Sequence, residues 1–328
     1  MKKLALFAFA ATLALVGCKN NNQPAEAQEP AEATVYMTTE ISPEALINIY
    51  EALGVKAEGR VAVKISTGEA GGNHYLHPEL IGDFVKHVNG KLVECNTAYP
   101  GSRMDTEAHR KTIEEHGFNT IGGVDIMDAE GDMQIPVRDT TYMKYNIVGN
   151  HLANYDFMIN LAHFKGHAMG GFGGVLKNAS IGVASTAGKC YIHSNGEDTD
   201  PNTTWANLKE ENQDKFLECM ATAATAVHDY FKGKVLYIAV MNNISIDCDC
   251  DGNPHAPELK DMGILASTDP VALDQACYDL IYSHQNSEGD DATSLRARID
   301  KQHGIHTVEH AEKIGLGTRK YHIVSIDK

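Results

Sequence analysis

The chain has 328 residues, 43% of them hydrophobic, and a formal net charge of -16 at pH 7. That length suffices for one large α/β core, while the acidic balance argues against nucleic acid as a partner and against a body held on anionic lipid by charge. The chain has seven cysteines, and although an even number beyond the first permits disulfides, a body of this size needs no cysteine scaffold.

The opening MKKLALFAFAATLALVGC joins two lysines, an apolar run from Leu4 to Val16 and the tetrapeptide Leu15-Val16-Gly17-Cys18. This predicts a lipoprotein signal peptide over residues 1–17, with Cys18 lipidated by palmitate-type chains and left as the first mature residue. The apolar run is too short to span a bilayer. Cleavage removes Lys2 and Lys3 and takes the charge from -16 to -18. Residues 18–34 read as lipid anchor and flexible tether, rich in proline, alanine and glutamate, and residues 35–328 as a single α/β domain. The Lys-Asn-Asn-Asn that follows Cys18 predicts an outer-membrane lipoprotein facing the periplasm.

Ser42-Pro43-Glu44 predicts a capped helix that stops at Gly54. Strand 60–66, the loop holding His74 and His77, a helix from Pro78 and strand 91–96 form a βαβ unit and so imply a parallel sheet. Arg103 follows a Pro-Gly-Ser turn that aims a guanidinium at an anion or, on the plainer reading, into a salt bridge; Asp105 or Thr106 caps the next helix. Residues 124–127 read as a short strand and 134–148 as an antiparallel insertion. The fold class that results is α/β, a mostly parallel sheet with helices on both faces and a small antiparallel insertion, with two interlocked lobes as an option.

The central stretch is Leu161 to Gly188, LAHFKGHAMGGFGGVLKNASIGVASTAG. Following an apolar run, it reads as a strand end opening into a glycine-rich loop and then a helix, with backbone N–H groups free to face a ligand. A well-packed turn is the plainer alternative. Lys165, His167 and Lys177 are the candidate catalytic residues, and His163 and Asn178 candidate ligand-binding ones. In a strand His163 and His167 stand roughly 13 Å apart, too far to share a metal; in a helix they share one face.

Residues 182–205 are polar and turn-rich, with Lys189, Cys190 and His193 clustered. A helix over about 211–231 and an apolar strand over 234–240 lead to the second candidate segment, which holds Asp247-Cys248-Asp249-Cys250-Asp251. If extended, this run points both thiols one way and the three carboxylates the other. The thiols can hold one soft metal ion (zinc, iron or nickel) with one or two further ligands from His163, His167, His193 or Cys190, or they can form a redox-active or disulfide-bonded pair. Asp261 precedes strand 264–267, and Asp269-Pro270 opens a helix; with His74, Arg103 and Lys189 these two aspartates complete the candidate ligand-binding set. Two short helices over 295–317 carry His303, His306 and His310 as a solvated surface, and residues 321–326 form a closing edge strand.

NHYLHPELI, NTAYPGSR, NLAHFKGHAMGGFGGVLKNASIGVASTAGK, MNNISIDCDC and DMGILASTDPVALDQA, in that order, resemble the prokaryotic family catalogued as domain of unknown function 362, over roughly residues 60–285. Many members carry a ferredoxin-like insertion with two C-x-x-C-x-x-C runs and are described as iron-sulfur centre proteins. The insertion would follow His193-Ser194, and residues 195–210 of this chain contain no cysteine, so no 4Fe-4S motif is expected here. The resemblance implies a shared core of His163, Lys165, His167, Lys177 and Asn178 facing Cys248, Asp249 and Cys250. A more distant similarity, in the histidine-then-GFGG-K pattern, is to nickel-pincer lactate racemases and implies a cofactor-dependent enzyme. The expectation is a lipid-anchored extracytoplasmic protein with a metal- or cofactor-binding cleft for a small-molecule or anionic ligand. Its rival is a solute-binding or accessory lipoprotein without chemistry.

Overall fold

Apolar, β-branched runs build the sheet. Strands β1 (Ala33–Thr38), β2 (Val61–Lys64), β3 (Gly90–Glu94) and β4 (Val124–Ile126) precede an antiparallel pair, β5 (Asp132–Ile135) and β6 (Asn146–Gly149). Strand β7 (Phe157–His163) leads into a hairpin of β8 (Lys165–His167) and β9 (Gly171–Gly173); β10 (Val235–Met241), β11 (Gly263–Ser267) and β12 (Tyr321–Ser325) follow. The computed structural model describes residues 32–328, so the signal peptide, Cys18 and nearly all of the tether lie outside the described residues.

The main sheet has the order β12-β1-β11-β10-β7-β2-β3-β4. Only β11 runs antiparallel to its neighbours, and every other adjacent pair is parallel. This is a mixed α/β fold on a mostly parallel sheet. The eight-stranded sheet, with the two small antiparallel pairs beside it, belongs to one compact unit that is not divided into two lobes among the described residues.

Helices α1 (Pro43–Ala52), α2 (Pro78–His87) and α3 (Thr106–Glu115) belong to the first half of the chain. Then come α4 (Val175–Ser180), α5 (Thr186–His193), α6 (Pro201–Asn207), α7 (Gln213–Tyr230), α8 (Pro270–Ser283), α9 (Thr293–Lys301) and α10 (His306–Lys313). Alternation along the strands sorts the core into two layers. Val61, Val63, Ile159 and Leu161 pack with Leu46, Ile49, Ile81 and Phe84 of α1 and α2, whereas Ala62, Met158 and Ala162 pack with Leu176, Ala224 and Leu273 of α4, α7 and α8. Caps fix the helix starts: Ser42 Oγ accepts from Ala45 N at 3.1 Å, and Asp105 Oδ1 from Ala108 N at 2.9 Å.

The chain departs from the sequence-based expectation in three places. Strand β1 starts at Ala33, inside the expected tether, because its ladder is completed by β12 from the far end of the chain. The glycine-rich loop after β7 first folds back as the β8–β9 hairpin and only then enters α4. The polar 182–205 segment contains α5, capped by Ser185, whose hydroxyl accepts from Gly188 N at 3.1 Å. No helix of the described residues is long and apolar enough to cross a membrane.

Candidate metal and ligand site

Because β2, β3, β7 and β10 are parallel, the segments that follow them emerge at one edge, where open α/β sheets place ligands. They surround a cavity of about 550 Å³, lined from four directions by Glu69, by Thr97 to Gly101, by His167 and Lys177, and by Cys248 and Cys250.

The Cys248-Asp249-Cys250 segment is a turn rather than an extended strand: Asp251 N donates to Cys248 O at 3.0 Å. Cys248 and Cys250 are joined as a disulfide, and Cys250 N donates to Cys248 Sγ at 3.3 Å. The expected alternation holds for Asp249, which points away from the cavity onto Lys165 Nζ at 2.8 Å and His163 Nδ1 at 3.1 Å. It fails for Asp247 and Asp251, which line the cavity with the cysteines because the chain turns there. Burial disfavours the Asp249 charge, but Lys165 and His163 outweigh it and hold the carboxyl well below the usual range. His163 Nε2 lies 2.6 Å from Asn242 O, so both ring nitrogens of His163 are already engaged by protein acceptors, away from the cavity. Strand β8 lies against the same turn. Gly166 N donates to Ser245 O at 2.9 Å, and a Cβ on Gly166 would collide with Ile246 O, so only glycine permits this approach.

Key backbone amides of the glycine-rich stretch are not free for a ligand. Val175 N and Leu176 N donate to Asp274 Oδ1 and Oδ2 at 2.8 and 2.9 Å, and Gly170 N donates to His167 Nδ1 at 2.8 Å. Buried amides need partners, and at the start of α4 the protein supplies its own carboxylate. Burial raises the Asp274 pKa to about 7 against the opposing pull of those two amides.

The inner wall is a network of buried ions. Lys64 Nζ, beneath α4, meets Glu94 Oε2, Ile65 O and, at 3.1 Å, Asn178 Oδ1. Arg103 Nη1 reaches Glu94 Oε1 at 3.3 Å, its Nε reaches Glu69 Oε2 at 3.2 Å, and its Nη2 donates to Tyr99 at 3.2 Å. Arg103 is therefore an internal clamp, each of its three guanidinium nitrogens engaged by a protein oxygen. Lys177 differs: it lines the same cavity but its ammonium makes no hydrogen bond or ion pair with any described residue, and burial, opposed in part by Glu94, lowers its pKa to about 8.

His167 Nδ1 accepts from Gly170 N and, at 3.2 Å, from Met169 N, so the neutral ring carries its hydrogen on Nε2. Burial, reinforced by Lys177 and His193, pushes the His167 pKa well down and keeps the ring uncharged. His193 has the opposite arrangement: Nδ1 donates to Lys189 O at 2.7 Å, and burial lowers its pKa to about 4. Ligand atoms of His167, Cys248 and Cys250 all lie within 4.8 Å of one another, a group that could hold a metal ion. Cys95 also lines the cavity, but burial pushes its pKa well up and its Sγ donates to Val183 O at 3.3 Å.

The sequence profile of the family described as Domain of unknown function (DUF362) matches residues 61–279. The chain belongs to this family. The matched segment runs from β2 into α8 and so contains the cavity wall and the His167, Cys248 and Cys250 group. No curated protein matches the chain.

The remaining candidates of this DUF362 protein scatter. Lys189 lines the cavity while donating to Ala184 O at 2.6 Å, and Asn178 lines it with its amide engaged by Lys64 and Asn160. Lys165 and His163 sit behind the Cys248–Cys250 turn, not in the cavity, and the His74 carbonyl accepts from Lys165 Nζ at 3.2 Å. Asp261 and Asp269 do not reach the cavity: the first accepts from Asn243 N at 2.9 Å, and the second caps α8 through Val271 N and Ala272 N. Sequence reasoning missed Lys64, Glu69, Glu94 and Trp205. Lys64 in the apolar run RVAVKIS and Glu94 in KLVEC were the available signal, since a charge inside a buried parallel strand demands a partner.

Proposed function

We propose that this protein binds a zinc, iron or nickel ion through His167 and the thiolates of Cys248 and Cys250, at the edge of a cleft that receives a small molecule. The observation that carries the reading is the convergence of these three ligand atoms within 4.8 Å beside a cavity of about 550 Å³. Soft thiolates and an imidazole suit all three metals. Three protein ligands leave coordination open for a bound molecule, as in catalytic rather than closed structural sites. Joined sulfurs cannot serve as thiolates, so the metal belongs to the reduced pair. Elemental analysis of protein purified under reductant and without chelator should find near-stoichiometric metal, lost in the Cys248→Ser, Cys250→Ser double variant while circular dichroism is unchanged. Absence of metal from the reduced wild type would overturn the reading. The disulfide favours the rival, a solute-binding or accessory protein without chemistry, and that rival would then lead.

We further propose that the protein is anchored by lipid on Cys18 and works outside the cytoplasm, on the outer membrane facing the periplasm. The support is the charge, apolar length and Gly17-Cys18 junction of residues 1–18. A Cys18→Ser variant should stay uncleaved and fail to take up labelled fatty acid; equal labelling would overturn the assignment.

A further inference from the structure

The four cations along the cavity wall are not equivalent. Lys64 and Arg103 are neutralised by Glu94 and Glu69, and Lys189 is spent on a backbone carbonyl, 2.6 Å from Ala184 O. The Lys177 ammonium alone among them has no hydrogen bond or ion pair with a described residue, although it lines the cavity, where an uncompensated charge is costly. Burial opposes the charge on its ammonium; Glu94 and Asp249 favour it from a distance, and Lys64 and Arg103 oppose it. An anion placed beside Lys177 relieves this cost. Beside it His167, its Nδ1 occupied by two amides, has only a hydrogen-bond donor left at Nε2. A cation and a neutral donor on one wall select an acceptor that carries negative charge. Part of the lining is apolar: Ala98, Met169, Ile181 and the half-buried ring of Trp205, whose Nε1 is already given to Ala98 O at 2.6 Å. The carboxylates that also line the cavity are Glu69 and Glu94, held by Arg103 and Lys64, Asp247, paired with His255 and Arg298, and Asp251, whose negative charge a bound anion must avoid.

We propose that the cavity binds a small organic anion, its carboxylate or phosphate on the Lys177 ammonium and the His167 Nε2 hydrogen, and its apolar part along Met169, Ile181 and Trp205. The volume of about 550 Å³ fits a metabolite-sized molecule and not a polymer. This deepens the reading of the cleft as a small-molecule site, but the anion contact is made by protein groups and does not pass through the metal.

The test therefore uses the full chain, oxidised and treated with chelator, so that a failed metal reading does not affect it. Trp205 is the sole tryptophan of the sequence, and its indole N–H gives a single NMR signal from the cavity wall. The probes are benzoate, its neutral isostere benzamide and the cation benzylamine. Benzoate should shift the indole signal saturably and bind at least tenfold tighter than benzamide, with benzylamine silent. Lys177→Gln should lose that tenfold preference and Lys177→Arg should keep most of it. Benzamide binding as well as benzoate, no benzoate response at millimolar concentration, or full benzoate affinity in Lys177→Gln each overturn the proposal. If Lys177→Gln fails to fold, the comparison of the three probes on the wild type decides alone.

Discussion

Lys165 Nζ lies 2.8 Å from Asp249 Oδ1, which ties the residue between the two cysteines to the strand that follows β7. His163 takes the other carboxylate oxygen at 3.1 Å, and both partners are buried. Removing the carboxylate leaves the buried Lys165 ammonium without its counter-charge and His163 Nδ1 without its partner, which costs about 3–5 kcal/mol. Asp249→Ala should accordingly lose stability on that scale in urea titration and show metal stoichiometry well below wild type under reductant. A loss under about 1 kcal/mol would mean that these ion pairs do not hold the turn.

What was legible in the sequence is what neighbours in the chain decide. Ser42-Pro43 and Asp269-Pro270 announce helix starts because cap and first turn are adjacent, and the structure places α1 and α8 there. The parallel βαβ unit was readable for the same reason. Pairings across long separations were not. Asp274 was visible as a helix residue, but nothing near it indicates that its carboxylate caps α4, almost a hundred residues earlier. Arg103 was visible after its turn, but the choice between an anion and a salt bridge depended on Glu69, from the loop after β2, meeting it together with Glu94 at the end of β3. The cysteine pair was legible as a pair, and its chemical state was not, since redox state is not a property of spacing.

The clamp around Arg103 gives a second expectation. A lysine carries one point charge where the guanidinium forks to Glu69, Glu94 and Tyr99, so Arg103→Lys is not a conservative change. Arg103→Ala should cost roughly 3–5 kcal/mol, and Arg103→Lys should recover less than half of it, both read by denaturant unfolding. Full recovery by lysine would show that charge alone matters at this position.

Asp274 predicts a pH dependence whose sign follows from its environment. Its folded pKa, about 7, lies above the ordinary carboxyl value, so between about pH 4 and 7 the folded chain retains a proton that the unfolded chain has released. The associated stability is present below that window, falls across it and is flat above. Asp274→Asn cannot titrate and also presents an amide hydrogen to one of the Val175 and Leu176 amides. The variant should be less stable at acidic pH, with the gap to wild type narrowing as the pH rises to neutrality. Unfolding curves at about pH 5 and about pH 8 decide it, and a constant gap would show that Asp274 is ionised throughout.

His167 carries the last prediction, because its hydrogen bonds limit how it can hold a metal. Nδ1 accepts from Met169 N at 3.2 Å and Gly170 N at 2.8 Å, so in the metal-free protein the ring hydrogen sits on Nε2. A metal needs a lone pair. Taken at Nδ1, it displaces both amides; taken at Nε2, it moves the hydrogen to Nδ1, where a donor then faces two donors. By either route Met169 and Gly170 lose their acceptor, so metal binding should accelerate hydrogen exchange at these two amides while the sheet around them stays protected. The nitrogen-15 signals of the ring should show the Nε2-protonated tautomer before metal; afterwards the Nε2 hydrogen is kept and Nδ1 shifts if the metal sits at Nδ1, and the hydrogen moves to Nδ1 if it sits at Nε2. Amides that remain protected in metal-loaded protein would remove His167 from the ligand set. The two cysteines would then draw their third ligand from elsewhere on the cavity wall, where His193, with Nδ1 given to Lys189 O and a lone pair on Nε2, has the tautomer a metal requires.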